Sequence, residues 1–155
     1  MKDYKLVKAD GVAAVIIWKN KVLLLKRRRI PFIYNPGTWG FLTGSRKPGE
    51  RYLETAYREI KEETGIGRKQ LTRVLKPAKV SMFDGKKGKR WLNYLFIFRS
   101  ETGNVRINIE NAGWRWAKAS EIRDGNDYTN IFLNKDKIYK TITRCLKNGK
   151  RPEKV

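Results

Sequence analysis

The chain has 155 residues, none of them histidine, and a single cysteine, Cys145. The first absence excludes His-based triads, histidine general bases and imidazole metal ligands. The second excludes an intramolecular disulfide. Cys145 falls in an amphipathic segment and reads as a small core residue rather than a nucleophile. Any metal must then be held mainly by oxygen, which favours hard cations such as Mg²⁺, Mn²⁺ or Ca²⁺. Long hydrophobic runs are also missing. VAAVII (12–17) and VLLL (22–25) stop far short of the roughly 20 residues of a membrane span. The opening MKDYKLVKAD lacks the apolar stretch of a signal peptide, so a cytoplasmic protein without a membrane partner is expected.

Acids are scarce. Fifteen Asp and Glu face 36 Lys and Arg, a net charge of +21. Such an excess predicts attraction to polyanions, among them nucleotides and RNA. Apolar residues make up 40%, enough for one ordinary core, and a single domain over 1–155 is expected. No internal repeat or Gly/Ser/Pro-rich linker divides the chain.

GVAAVIIW (11–18) and KVLLLKR (21–27) are β-branched and apolar and flank Lys19-Asn20, the signature of a hairpin with a tight turn. Turn residues Pro31, Asn35, Pro36 and Gly37 follow, then a short strand is expected at 39–42. Leu53, Ala56, Tyr57, Ile60 and Thr64 recur at helical spacing, which predicts a helix over 51–64 closed by a left-handed Gly65. Residues 71–83 and 91–99 read as two longer strands joined by DGKKGK (84–89). WRWAKAS, from 114, reads as a strand and a helical turn. Ile131–Lys147 is amphipathic, with Ile138, Ile142, Cys145 and Leu146 on one stripe, and a basic tail at about 148–155 is expected to fray. The order predicts an α/β fold, a mixed sheet with helices on both faces.

One segment breaks the basic pattern. Residues 44–66, GSRKPGERYLETAYREIKEETGI, hold five of the fifteen acids. On a helix Glu59, Glu62 and Glu63 point from neighbouring positions. Left empty, three carboxylates there raise one another's pKa and destabilise the fold, whereas a divalent cation reverses the cost. Arg58 stands four residues before Glu62, where its guanidinium can orient a carboxylate.

Gly44, Glu50, Arg58-Glu59, Ile60, Glu62-Glu63, Gly65 and Ile66 occupy every defined position of the Nudix box, and residues 44–66 resemble that motif closely. The hairpin before it and WRWAKASEI after it are similar to family segments, more loosely. The resemblance implies an α/β/α sandwich and a hydrolase that cleaves the pyrophosphate of a nucleoside diphosphate linked to another group. It implies Mg²⁺, or Mn²⁺, held by Glu59, Glu62, Glu63 and the Gly44 carbonyl, with Glu50 joining through water and Arg58 orienting the glutamates. Water would attack phosphorus in line with the leaving oxygen, without a covalent intermediate. Glu62 and Glu110 are the candidate bases.

Substrate signals are weaker. Subgroups acting on ADP-ribose carry a proline further past the box; Pro77 lies too close and Ser81 stands in its place. Those acting on diadenosine polyphosphates carry a tyrosine where this chain has Phe83. Basic clusters at Lys26-Arg27-Arg28-Arg29, Arg46-Lys47 and Lys86-Lys87-Lys89-Arg90, with Trp39 and Trp91 nearby, suit phosphates and a stacked base. Arg27, Trp39 and Arg46 are the candidate substrate contacts. A nucleoside triphosphate is the expected substrate. The alternatives are the triphosphorylated or capped 5′ end of an RNA, or a non-catalytic module that holds RNA or nucleotide.

Overall fold

The computed structural model describes residues 5–31, 36–84, 89–124 and 135–147. The 84–89 turn, the Lys86-Lys87 part of the third basic cluster and the tail at 148–155 lie outside them in whole or part, as do the side chains of Phe83, Lys89, Arg90 and Trp91.

The expected hairpin forms from β1 (Lys5–Trp18) and β2 (Lys21–Arg27), with Trp18 opposite Lys21. Lys19 and Asn20 both take positive φ, 46° and 62°, the left-handed pair that lets a two-residue turn follow the strand twist. β1 begins earlier than residue 11. Its first segment runs parallel to β7 (Lys89–Ser100), and the register shifts between Val7 and Gly11. The expected short strand is two pieces, β3 (Trp39–Gly40) and β4 (Leu42–Ser45), pairing with β2 and β1 respectively.

The expected strand over 71–83 is also two, β5 (Leu71–Arg73) and β6 (Ala78–Asp84), both antiparallel to β7. The break spans 74–77 and ends at Pro77, which has no N–H for a ladder. β8 (Asn111–Ala117) pairs with β2 and leads into α2 (Ala119–Asp124). The eight strands make one mixed sheet, with β1 at its centre between β2 and β7.

Alternation along β1 builds two cores. Val12, Ala14 and Ile16 pack with Ala56 and Ile60 of α1 (Tyr52–Thr64). Ala13, Val15 and Ile17 pack with Ile122 and with Ile138, Ile142 and Cys145 of α3 (Lys135–Lys147). The sheet is thus a layer between α1 and the α2/α3 pair, as period-2 strands and 3.6-period helices require. Among the described residues no helix is long and apolar enough to cross a membrane.

Candidate active site

α1 starts after Arg51, whose N–H donates to the Glu54 carboxylate at 3.3 Å. It ends at Gly65, where φ is 75° and the N–H donates to the Lys61 carbonyl at 3.0 Å. The left-handed residue satisfies a carbonyl the helix would otherwise leave open. Between these ends, helical spacing sets Ala56, Ile60 and Glu63 against the sheet.

Glu63 is 1% exposed. Its Oε1 accepts from Asn111 Nδ2 at 3.2 Å, and its Oε2 has no hydrogen-bond partner among the described residues. Burial pushes its carboxyl up to about 8, with the charges of Glu59 and Glu110 adding to the rise and Asn111 and Arg27 opposing it. Glu59 is raised as well, first by burial, then by Glu62 and Glu110, against Arg58. Removing charged oxygen from water favours the neutral acid, and neighbouring carboxylates add to that cost. Glu59, Glu63 and Glu110 therefore lie within electrostatic reach of one another, with Arg27 as a nearby cation.

Gly44 on β4 makes the approach of Glu59 possible. A Cβ on Gly44 would stand 2.2 Å from both Cγ and Cδ of Glu59, so no larger residue fits. Arg58 holds the other acids. It donates to Glu50 through Nε at 2.8 Å and Nη2 at 2.9 Å, to Glu59 at 2.8 Å and to Glu62 at 3.3 Å, and Nη2 also reaches the Ser45 carbonyl at 2.9 Å. Glu50 further accepts from the Lys47 N–H at 2.8 Å, and these bonds, Arg58 first, pull its carboxyl down to about 2.

The three helix glutamates do not meet as the spacing predicts. Glu62 is half exposed and turned to Arg58, while Glu63 is sunk against Asn111. Among the described residues no three acids stand ready around one point. Glu59 and Glu62 share the Arg58 guanidinium, while Glu63 takes Asn111. The donor set still suits a hard divalent cation: carboxylate oxygens only, one of them buried with no partner.

Asn111, fully buried at the start of β8, is the residue that sequence reasoning missed. Its link to Glu63 spans 48 positions, and only its place beside Glu110 offered a hint. The 101–110 segment is tied down at several points. Arg106 N donates to the Thr64 carbonyl at 2.8 Å, and Glu110 N donates to Asn108 Oδ1 at 3.1 Å. Arg28 clamps the same loop: its N–H reaches the Glu110 carbonyl at 2.9 Å, Nε the Ile109 carbonyl at 2.7 Å and Nη2 the Asn111 carbonyl at 3.1 Å.

Two expected substrate contacts have protein partners of their own in this structure. Trp39 packs against the core on the α2/α3 side of the sheet, with Lys26 Nζ 5.9 Å and Arg115 Cζ 5.1 Å from its ring. Arg46 is taken up by Asp10, at 2.6 Å for the closest pair of atoms.

A buried glutamate, a second one admitted by a glycine and an arginine that gathers the rest make a cluster of carboxylate oxygens of the kind a hard cation takes. Residues 7–141 match the model of the NUDIX domain. The chain belongs to the NUDIX family of hydrolases. It is 26% identical over 126 residues to the asymmetrical bis(5'-nucleosyl)-tetraphosphatase of Caenorhabditis elegans, covering 81% of this chain and 88% of that one. It is 33% identical over 95 residues to the nucleoside triphosphatase NudI of Escherichia coli, covering 56% of this chain and 66% of NudI. The fold is shared with the MutT protein of Methanosarcina mazei Go1 at a TM-score of 0.68 and 24% identity, over 94% of this chain and 100% of that one. It is shared with a C. elegans Ap4A hydrolase binary complex at 0.66 and 23%, over 90% and 99%.

Proposed function

We propose that the protein is a divalent-metal-dependent pyrophosphohydrolase of nucleoside triphosphates, with Mg²⁺ as its metal. The observation that carries this reading is the partnerless Glu63 oxygen, buried within electrostatic reach of Glu59 and Glu110. Glu59, Glu63 and the Gly44 carbonyl would hold the cation, with Glu62 and Glu50 at the rim. When bound, it supplies positive charge against the phosphoryl oxygens and acidifies an attacking water.

The chain's own groups do the rest. Arg58 keeps the rim acids oriented. Arg27, close enough to offset the Glu63 charge, offsets phosphate charge in the same place. Glu110 accepts the proton of the attacking water, with Glu62 as the alternative base. The new P–O bond forms as the anhydride P–O bond breaks, and the leaving pyrophosphate or nucleoside monophosphate carries away the electron pair. Trp39, flanked by Lys26 and Arg115, is the proposed surface for the base.

A second substrate, a dinucleoside polyphosphate, is favoured by the 88% coverage of the C. elegans tetraphosphatase. The test is phosphate and pyrophosphate release with Mg²⁺ or Mn²⁺. The panel holds nucleoside triphosphates, diadenosine tetraphosphate, nucleotide sugars and a 5′-triphosphorylated RNA, each at two salt concentrations. Triphosphate turnover lost in Glu63→Gln is the expected result. Turnover of diadenosine tetraphosphate alone supports the second reading. Turnover of the RNA alone, falling steeply with salt, assigns the +21 charge to recognition of the RNA. Binding without any turnover overturns the enzyme reading.

A further inference from the structure

Arg46 has the position expected of a phosphate contact, two residues past Gly44, yet its donors point to other partners. Nε lies 2.9 and 2.8 Å from the two oxygens of Asp10, and Nη2 lies 2.6 Å from one of them. Nη1 donates to the Glu50 carbonyl at 2.8 Å, and the backbone N–H donates to the Asp10 carbonyl at 2.8 Å. The Tyr52 hydroxyl, from the first residue of α1, donates to the same Asp10 at 2.5 Å. The guanidinium also stands 5.0 Å from the Tyr52 ring centre, and Tyr52 leans on Tyr94 of β7 at 4.3 Å.

These contacts join three elements: the central strand β1, the 46–51 loop and the first turn of α1. The loop is where the site's spacing is set. It connects Gly44, which admits Glu59, to Glu50, which anchors Arg58. A planar guanidinium held by both oxygens of a carboxylate resists rotation in a way a single bond does not.

The geometry points to Asp10, Arg46 and Tyr52 as a positioning strut that holds the 46–51 loop in register with the glutamates of α1, rather than as part of the substrate-binding surface. Among the described residues none of the three hydrogen-bonds to Glu59, Glu62 or Glu63, and Arg46 reaches Glu50, which holds Arg58, so they act through that pair. The inference rests on the hydrolase reading for its kinetic consequence only. Displacing catalytic groups by an ångström costs up to about a hundredfold in rate, so loosening the loop should lower kcat by roughly tenfold with KM little changed.

Three variants test it: Asp10→Asn, which removes the charge, Tyr52→Phe, which removes one hydroxyl, and Arg46→Lys, which keeps the charge and loses the fork. Each is measured for kcat and KM, for Mn²⁺ affinity by electron paramagnetic resonance, and for amide hydrogen exchange over 44–50. The strut predicts lower kcat, weaker Mn²⁺ binding and faster loop exchange for Asp10→Asn and Arg46→Lys, with a smaller change of the same kind for Tyr52→Phe. A raised KM at unchanged kcat in Arg46→Lys, with Asp10→Asn near wild type, would make Arg46 a substrate ligand and overturn the strut. Unchanged Mn²⁺ affinity and loop exchange in all three would overturn it too. These two readouts need no turnover, so they decide the strut even if no nucleotide in the panel is hydrolysed.

Discussion

Glu63→Gln separates the cost of a buried charge from the rest of the fold. The Glu63 carboxyl is raised from an ordinary 4.5 to about 8. A raised carboxyl means that the folded state holds its proton at a pH where the unfolded state has lost it. Stability is therefore full below about 4.5 and falls as pH rises toward 8. One pH unit corresponds to about 1.4 kcal/mol. The penalty from Glu63 is then about 1 kcal/mol at pH 5 and about 4 kcal/mol at pH 7.5, a difference of about 3 kcal/mol. The amide of the variant cannot ionise, and its oxygen can still accept from Asn111. Relief of the neighbouring Glu59 acts in the same direction.

The assay is urea unfolding of both proteins with a chelator present, at pH 5 and pH 7.5. The window lies above the range in which Glu50 titrates, since that carboxyl is held at about 2 and its contribution is lost only as pH falls toward that value. Wild type should lose about 3 kcal/mol more than the variant between the two pH values. Excess Mg²⁺ at pH 7.5 should then stabilise wild type and leave the variant nearly unmoved. Equal slopes for the two proteins would refute the reasoning, because Glu63 would then be ionised at no cost and no cation would be needed to offset it.

Gly44→Ala should cut turnover by about a hundredfold, since a methyl group would have to occupy space now held by Glu59 and shift a cation ligand; kcat and Mn²⁺ affinity check it. Glu110→Gln should lower kcat by about a hundred- to ten-thousandfold if Glu110 is the general base, with KM little changed. Turnover within a few-fold of wild type would move the proton to Glu62. Ile142→Ala, in the fully buried contact of α3 with the sheet, should cost about 2–5 kcal/mol of stability and leave kcat at 25 °C near wild type, measured by urea unfolding and steady-state kinetics.

The parts of this protein that could be read from its sequence are those whose causes are local. Lys19-Asn20 announces a turn because few residue pairs tolerate two positive φ values. Gly65 closes α1 because the last carbonyls need a left-handed neighbour. Helical periodicity set Arg58 within reach of Glu62 because it fixes which side chains are neighbours. Long-range pairing was not legible. The parallel run of β1 along β7, beginning at Lys5 and Lys89, joins segments more than eighty residues apart, and the charged MKDYKLVKAD disguised its first strands of contact. Pro77 was visible, but only the sheet shows that it ends the gap between β5 and β6.

The site divides along the same line. Periodicity can place three glutamates on one side of a helix, but it cannot say which of them is buried, because burial depends on what the other strands bring. Asn111 and the Arg28-clamped loop come from across the sheet and single out Glu63. Arg58 draws Glu62 outward. Arg46 shows the opposite limit: a cation beside a phosphate motif suggests a phosphate contact, yet Asp10, thirty-six positions earlier, takes its fork. In a chain of 36 cations and fifteen acids, the scarce charge decides. Each carboxylate can choose among many partners, so the sequence says where the acids lie but not which cation each one takes.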